Sequence, residues 1–484
     1  MSKSEIKSGF CGGQYKPLSE SDVSMILDGA YEILGRAGIQ VSTSTGFEAF
    51  KAIGAEVDAS SHIVKLSRSL LDDCLASAPR ALTLYGRDSK YNCCLQDQQV
   101  HMGTGGTALY VLDIETGTRR PSTLTDVAAC AKLCDALSNV HIFTINVFPN
   151  EIKSVDDIDI NRFYHSLQNT SKHVMGGIYS LRGTKEVVEM CQMIAGGKDA
   201  LREKPFVSFI ALVISPRKID DIYGEITCYL AQQGLPVVTP TEPICGTTAP
   251  VTLAANVLMH VTETLAGVAM VQCVRKGSPV ICGSVGSVND LRTMQHLGGA
   301  IERGMINAAV AQVIHRIDLP LYSTAGTSDA KIVDSQSGYE SALSNLLVMM
   351  SGAHYIHDSC GLMDSDMTVS YEKMVIDNEI IGMCGRVMRG IEVNDETLAV
   401  DLICDHAPGD GFMAEEHTVA HMRTEFFTPT IADRRHHQDW VNSGSTDAAQ
   451  RAREYATGLL SKHQPTGLSG DVDNDIRAHF ANIR

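Results

Sequence analysis

Leu319-Pro-Leu-Tyr-Ser-Thr-Ala-Gly-Thr-Ser-Asp-Ala-Lys-Ile-Val-Asp-Ser-Gln-Ser-Gly-Tyr-Glu340 is the stretch that decides the fold. It opens on a short apolar run, Leu319 to Tyr322, with the length and composition of a buried strand. Small and polar residues follow from Ser323 to Asp329, Gly326 among them. Asp334 is then an N-cap for a helix whose apolar face is Ala342, Leu343, Leu346 and Leu347. Buried strand, polar loop and covering helix make one βα unit.

Working outward, the same unit recurs. Strands are predicted at Val100–Met102, His141–Phe148, His173–Tyr179, Phe206–Ser215, Leu235–Pro240, Pro279–Gly283, Leu319–Thr324 and Ala353–His357. Helical patterns fall near Leu124–Leu137, Asp159–Asn169, Thr184–Ala195, Lys218–Gln233, Val251–Lys276, Leu297–Ile317, Asp334–Ser351 and Tyr371–Arg389. Eight strand-then-helix units over roughly 290 residues predict an α/β fold of the (β/α)8 TIM-barrel type. A doubly wound open sheet is the alternative, but no Gly-x-Gly-x-x-Gly stands between a strand and a helix to support its nucleotide-binding version.

The predicted organisation is an N-terminal α/β extension (1–99), a barrel (100–391) and a C-terminal helical extension (392–484). Residues 1–20 read as a loose arm, and Ser19–Ala37 as a helix stopped by Gly38. Phe47–Ile53 and Val64–Ala78, the latter capped by Ser67, add helices, with short strands at Thr83–Tyr85 and Tyr91–Leu95. Tyr110–Arg120 alternates around Thr116-Gly117, which predicts a hairpin over the barrel mouth. Beyond Arg389 two or three helices, Ala448–Leu460 among them, are expected to wrap the barrel or a neighbouring subunit of a homo-oligomer.

Composition narrows the function. The 484 residues are 44% hydrophobic and 20% charged, as in a globular protein with a substantial core. No uninterrupted apolar run reaches the ~20 residues of a membrane span; Val251–Val274 is broken by His260, Glu263 and Gln272. The start, Met1-Ser-Lys-Ser-Glu-Ile-Lys7, lacks the apolar core of a signal peptide, so a cytoplasmic location and no membrane partner are expected. Forty Lys and Arg against 57 Asp and Glu, a net −17, argue against nucleic acid as a partner. The 14 cysteines are scattered and read as reduced thiols.

In a barrel the strand C-termini and the loops beyond them form the site. That places Gly103, Thr104, Gly105, Gly106 and Thr107, Asn146, Tyr179, Glu242, Ser284 to Asp290, Tyr322 to Asp329 (Ser323, Thr324 and Gly326 among them), His357 and Asp358 around one mouth. Gly103 to Gly106 lack the Gly-Lys-Ser/Thr of a phosphate loop, which leaves tight turns or the approach of a large planar ligand. Glu242 is either a working acid or a ring stabiliser. With aromatics at only 6%, Tyr179 and Tyr322 are better used as ligand surface than as filler, although core packing stands beside that reading. His354 and His357 point to opposite faces of a strand. His417 and His421 share a helix face with zinc-ligand spacing, but His-Glu-x-x-His is absent.

Several motifs together resemble one family. They are Gly103-Thr-Gly-Gly-Thr-Ala-Leu-Tyr110 running on to Asp126, Cys245-Gly-Thr-Thr-Ala-Pro-Val-Thr-Leu-Ala-Ala-Asn256, Tyr322 to Lys331 with Asp334 to Glu340, Ser370 to Glu379, His417 to Arg423, and Asp433-Arg434 with Trp440. This set is similar to the trimethylamine methyltransferase family. The resemblance implies a TIM barrel that passes the methyl group of a methylated amine to the Co(I) corrinoid of a small partner protein. Founding members carry pyrrolysine. This chain uses only the twenty ordinary residues and so resembles the branch acting on quaternary amines such as glycine betaine.

For that chemistry the resemblance implies an aromatic cage, with Tyr110, Phe143, Tyr179, Tyr322 and Tyr355 as candidates at ~0.5–2 kcal/mol per ring face. Glu242 and His357 complete the expected substrate set, His357 and the Gly103–Gly106 amides facing any substrate carboxylate. Gly103, Thr104, Gly105, Gly106, Asn146, Ser323, Thr324 and Gly326 are the residues expected to meet the corrinoid (cobalamin). No catalytic side chain is singled out and no tightly bound metal is expected. The rival readings are a zinc-dependent methyltransferase built on His417, His421 and a cysteine, and a non-catalytic betaine-binding barrel.

Overall fold

The structure, a computed structural model, describes residues 9–484. Residues 1–8 of the expected arm lie outside the described residues. Eight parallel strands form the centre: β1 (Gln99–Met102), β2 (Ile142–Thr144), β3 (His173–Gly177), β4 (Val207–Ile210), β5 (Val237–Thr241), β6 (Val280–Ser284), β7 (Leu321–Thr324) and β8 (Tyr355–His357). Their spatial order is β1-β8-β7-β6-β5-β4-β3-β2. The two ends of this curled sheet approach each other. Gly103 bridges Ile142 in the parallel sense, and the His141 N–H donates to the Met102 carbonyl at 2.7 Å. Lower on the same edge of β1, Phe10–Cys11 pairs antiparallel with Val100 and Gln99. The part of the arm that is described is therefore tied down at the seam.

Each strand is followed by a helix: α1 (Leu124–Ala136), α2 (Val155–Asn169), α3 (Leu181–Ala195), α4 (Asp221–Gln233), α5 (Leu253–Val274), α6 (Ile301–Arg316), α7 (Ser335–Ser351) and α8 (Tyr371–Arg389). Period-two alternation sorts the strand residues. Ile142, Met175, Val238, Ile281, Tyr322 and Tyr355 share an inner cluster with Leu84, Cys93 and Leu95. Those last three belong to the hairpin Leu82–Leu84/Cys93–Leu95, which plugs the N-terminal end of the strands. Phe143, Val174, Val207, Phe209 and Val237 belong to the larger core with the helices. With one end plugged, only the C-terminal end is left for a cavity.

α5 is long and apolar enough to cross a membrane by length and composition, but 78% of its most apolar window is buried within the protein. Its Glu263 is satisfied internally, accepting from the Arg217 N–H at 2.7 Å and the Ser215 hydroxyl at 2.6 Å. In the N-terminal portion, Ser67 caps a helix as expected, but that helix starts at Arg68. Val64 and Lys65, expected to begin that helix, instead belong to the strand Ile63–Lys65, which pairs with Ile39–Val41 and Glu56–Asp58. The hairpin Tyr110–Leu112/Arg119–Pro121 forms and joins Thr368–Ser370 and Leu362–Met363 in a small sheet.

Candidate active site

A cavity of about 530 Å³ opens at the C-terminal ends of the strands. Thr144, Gly177, Tyr179, Ile210, Pro240, Glu242, Val285, Tyr322 and His357 reach it from seven successive strands, β2 to β8, or the residues just past them. Tyr223 comes from the first turn of α4, His296 and Arg303 from the segment between β6 and α6 and from α6 itself, and Asp358, Asp366 and Met367 from the loop after β8.

One wall is an aromatic stack. The Tyr322 and His357 rings lie 4.1 Å apart at 27°, and Tyr355 supports Tyr322 from below at 5.5 Å. The Tyr355 hydroxyl is engaged with Thr144 Oγ1 and, at 3.3 Å, with the Thr104 carbonyl. Burial raises the Tyr322 phenol far above its ordinary range, so the ring stays neutral. His357 is fixed on both nitrogens: Nδ1 is 2.9 Å from the Ser323 carbonyl, and Nε2 is 3.0 Å from Asp358 Oδ2. The other wall carries Tyr179 and Tyr223. Tyr179 meets Phe148 edge to face at 5.8 Å, with the buried Arg162 guanidinium 5.2 Å from its ring centre.

Three carboxylates face this space. Glu242 is walled by protein yet reached by solvent through the cavity. Burial pushes its carboxyl above the ordinary 4.5, although Arg303 and His296 pull the other way. Asp358 and Asp366 each keep one buried oxygen without a hydrogen-bond partner. Asp366 accepts from Arg303 at 2.7 Å and faces His296 at 3.1 Å. Burial would raise its carboxyl, but the Arg303 charge and the His296 contact outweigh that and hold it down at about 2. Arg303 is almost fully buried and also donates to the Gly286 carbonyl at 2.7 Å and Thr327 Oγ1 at 2.9 Å. Asp364, Ser365 and Asp366 all have left-handed backbone, with φ of 57°, 52° and 69°. Such a run is held only by its surroundings and marks a loop shaped around the cavity.

Of the residues expected from sequence, the structure brings Tyr179, Glu242, Tyr322, His357 and Gly106 to the cavity lining. Tyr110 lies on the small sheet outside, its ring under the Arg119 guanidinium at 3.4 Å. Phe143 belongs to the outer core with the helices, and Tyr355 packs beneath the floor with no exposure. Thr104, Asn146, Ser323 and Thr324 are buried behind the walls. Thr104 Oγ1 donates to the Thr144 carbonyl at 2.7 Å, and Thr324 Oγ1 lies 3.0 Å from His357 Nδ1. The loop glycines make room for the chain itself. A Cβ on Gly103 would meet the Tyr355 hydroxyl at 2.2 Å, and one on Gly105 would meet Asp358 Oδ1 at 2.3 Å. Gly326 likewise lies against the Ser359 backbone. Sequence reasoning missed Tyr223, His296, Arg303 and Asp366. The only available signal was the polar run Asp364-Ser-Asp366 shortly after a strand.

His417 and His421 do share a face, with ring centres 4.5 Å apart, and His421 turns to Glu396 at 3.4 Å. Among the described residues no three His, Cys, Asp or Glu side chains gather as a metal-binding group.

The cavity at the strand ends, walled by tyrosines and acids, agrees with what the chain matches. The family profile described as trimethylamine methyltransferase (MTTB) covers residues 5–484. The chain belongs to the trimethylamine methyltransferase family. It is 32% identical over 460 residues to the trimethylamine methyltransferase MttB of Desulfitobacterium hafniense (strain DSM 10664 / DCB-2), covering 95% of this chain and 92% of that protein. It is 30% identical over 473 residues to the glycine betaine methyltransferase of Desulfitobacterium hafniense (strain Y51), covering 97% of each. Among solved structures, the hydroxylamine complex of MtmB aligns over 95% of this chain and 96% of that one, with a TM-score of 0.50 at 14% identity, which speaks to the fold. This member of the family is accordingly a methyltransferase.

Proposed function

We propose that this methyltransferase moves a methyl group from a quaternary amine, glycine betaine or a related betaine, to the Co(I) corrinoid of a partner protein. The observation that carries the proposal is the cavity in which Tyr179, Tyr223 and Tyr322 are gathered with Glu242. Aromatic faces and a carboxylate together suit a cation that offers no N–H to donate. Relatives named for trimethylamine and for glycine betaine match about equally, and the absence of pyrrolysine from this sequence favours the quaternary substrate.

A quaternary ammonium loses a methyl and leaves as a neutral amine, so no residue has to protonate the leaving group. That fits a site whose His357 and Arg303 are held in place, His357 between Ser323 and Asp358, and Arg303 between Asp366 and backbone carbonyls. The chain's task is to strip water from the cation, orient it and expose one methyl toward the mouth. A betaine carboxylate would be met by the Arg303 guanidinium or the His296 ring, both in the lining. A corrinoid carried by the partner would supply the cobalt nucleophile. The residues expected to cradle it are mostly buried, so the fit is at the rim. Val155, Ile222, Val251, Leu291, Met294 and Met367, on segments following the strands, are 38–56% exposed and offer an apolar ring for a docking protein. We read residues 100–391 as one closed (β/α)8 barrel, supported by the Gly103–Ile142 bridge, with residues 1–99 and 392–484 packed outside it.

The test is the absorbance change on methylation of Co(I) corrinoid, free or on its protein, with glycine betaine, proline betaine, carnitine and trimethylamine as donors. Turnover with a betaine is expected. Turnover with trimethylamine alone, or binding of a betaine without turnover, overturns the reading.

A further inference from the structure

Cys74 and Cys273 are 199 positions apart in the chain, yet their sulfurs lie 3.7 Å from each other. Cys74 sits on the helix Arg68–Ser77 of the N-terminal portion, and Cys273 on the last turn of α5. The two helices also meet through Ser77 Oγ, 3.3 Å from Gln272 Oε1. From here α5 leads into the start of β6, so the pair lies at the plugged end of the strands and takes no part in the cavity lining. Cys74 is buried, whereas Cys273 is only half-buried, which leaves one sulfur of the pair within reach of solvent.

Two thiols already in contact on packed helices need little movement to join. A disulfide brings its sulfurs to about 2 Å, and side-chain rotation supplies the difference. The contact with Cys273 lowers the Cys74 thiol below its ordinary range; burial and Asp73 oppose this, and Lys276 adds to it. The proton between the sulfurs passes to either one, so a thiolate is available on Cys273, where solvent reaches it. That thiolate attacks one sulfur of a small-molecule disulfide, such as oxidised glutathione, and expels the other half as a thiolate. Cys74 then gives its proton to water, attacks the Cys273 sulfur and expels the second half. Two protein thiols become one disulfide, and the oxidant is reduced to two thiols. The new bond closes a loop that holds the plug hairpin and β1 to β5, together with the helices between them.

We propose that Cys74 and Cys273 form a redox-reversible staple that ties the N-terminal portion to α5. The experiment incubates the full chain, freed of reductant, with oxidised glutathione and maps its peptides by mass spectrometry without reduction. A peptide joining Cys74 to Cys273 is expected as the principal product. The melting temperature should rise by several degrees, because a long loop is closed in the unfolded chain, and dithiothreitol should return it to its starting value. Cys273→Ser should abolish both the link and the rise. Cys74→Ser should leave Cys273 carrying one glutathione, since no second thiol resolves the mixed disulfide. The linked peptide is read on the unaltered chain, so a variant that folds poorly leaves the test intact. No such link in the folded chain, or another pair of cysteines closing first, overturns the proposal. So does a link that leaves the melting temperature unchanged, or a folded Cys74→Ser chain whose Cys273 stays unmodified.

Discussion

Glu242 is the residue on which the cavity's electrostatics turn. Its carboxyl is raised above 4.5 by burial, and only the charged form attracts a cation. The proposed substrate should therefore bind more weakly as pH falls through that raised value, at a higher pH than an ordinary glutamate would give. Glu242→Gln is expected to raise KM about tenfold, ~1.4 kcal/mol, and to flatten this acid limb. Stability should move the other way. A carboxyl whose folded pKa is raised contributes stability at low pH that is lost as pH rises through the folded value, so the glutamine variant should melt higher near pH 7. KM against pH and melting curves check both; an unaltered acid limb would place the cation elsewhere. Tyr179→Ala should cost up to ~2 kcal/mol in apparent affinity, about thirtyfold in KM, with Tyr179→Phe much milder because the ring face remains. Tyr322 is a poorer probe, since it is 2% exposed and stacked on His357, and its removal would open a hole in the core.

At the scale of elements, the loops after β7 and β8 are held by one ion pair in α8. Lys373 Nζ lies 2.6 Å from Asp377 Oδ2 and 2.9 Å from the Gly326 carbonyl, while Asp377 also accepts the Gly361 N–H at 2.7 Å and the Ser341 hydroxyl at 2.7 Å. Both side chains are essentially unexposed. Asp377→Ala would strand the lysine charge in the core at a cost of ~3–5 kcal/mol, read from the denaturant midpoint, while Lys373→Met/Asp377→Leu together should cost much less. The helices were the most legible part of the sequence. α8 runs from Tyr371 to Arg389 as its periodicity predicts, and Asp334 caps α7. The strands came out shorter than their apolar runs: β2 is Ile142–Thr144 within the expected His141–Phe148. The residues beyond Ile145 leave the ladder to follow the first loop, where the Ala108 N–H donates to the Asn146 carbonyl and the Phe148 N–H to the Ala108 carbonyl. The site was only half legible for a related reason. Residues at strand ends such as Tyr179 and Glu242 follow from counting, whereas Arg303 and Asp366 meet at 2.7 Å only through tertiary packing, 63 positions apart.

For the whole molecule the decisive feature is that the curled sheet is plugged at the N-terminal end of its strands, so that the cavity is reached from their C-terminal end. A net charge of −17 offers no long-range attraction to a partner of like charge, and the proposed docking rests on the short-range apolar rim. Ile222→Asp combined with Leu291→Asp should therefore raise KM for the corrinoid protein tenfold or more, and should disturb transfer to free Co(I) cobalamin far less. The two residues are 55% and 50% exposed, so folding should survive the change. Measuring both acceptors side by side separates a docking defect from a cavity defect. A damaged cavity lowers both rates together, whereas a damaged rim lowers only the one that needs a protein partner. Equal losses with the two acceptors would mean that the rim is part of the cavity wall and that the partner is recognised elsewhere.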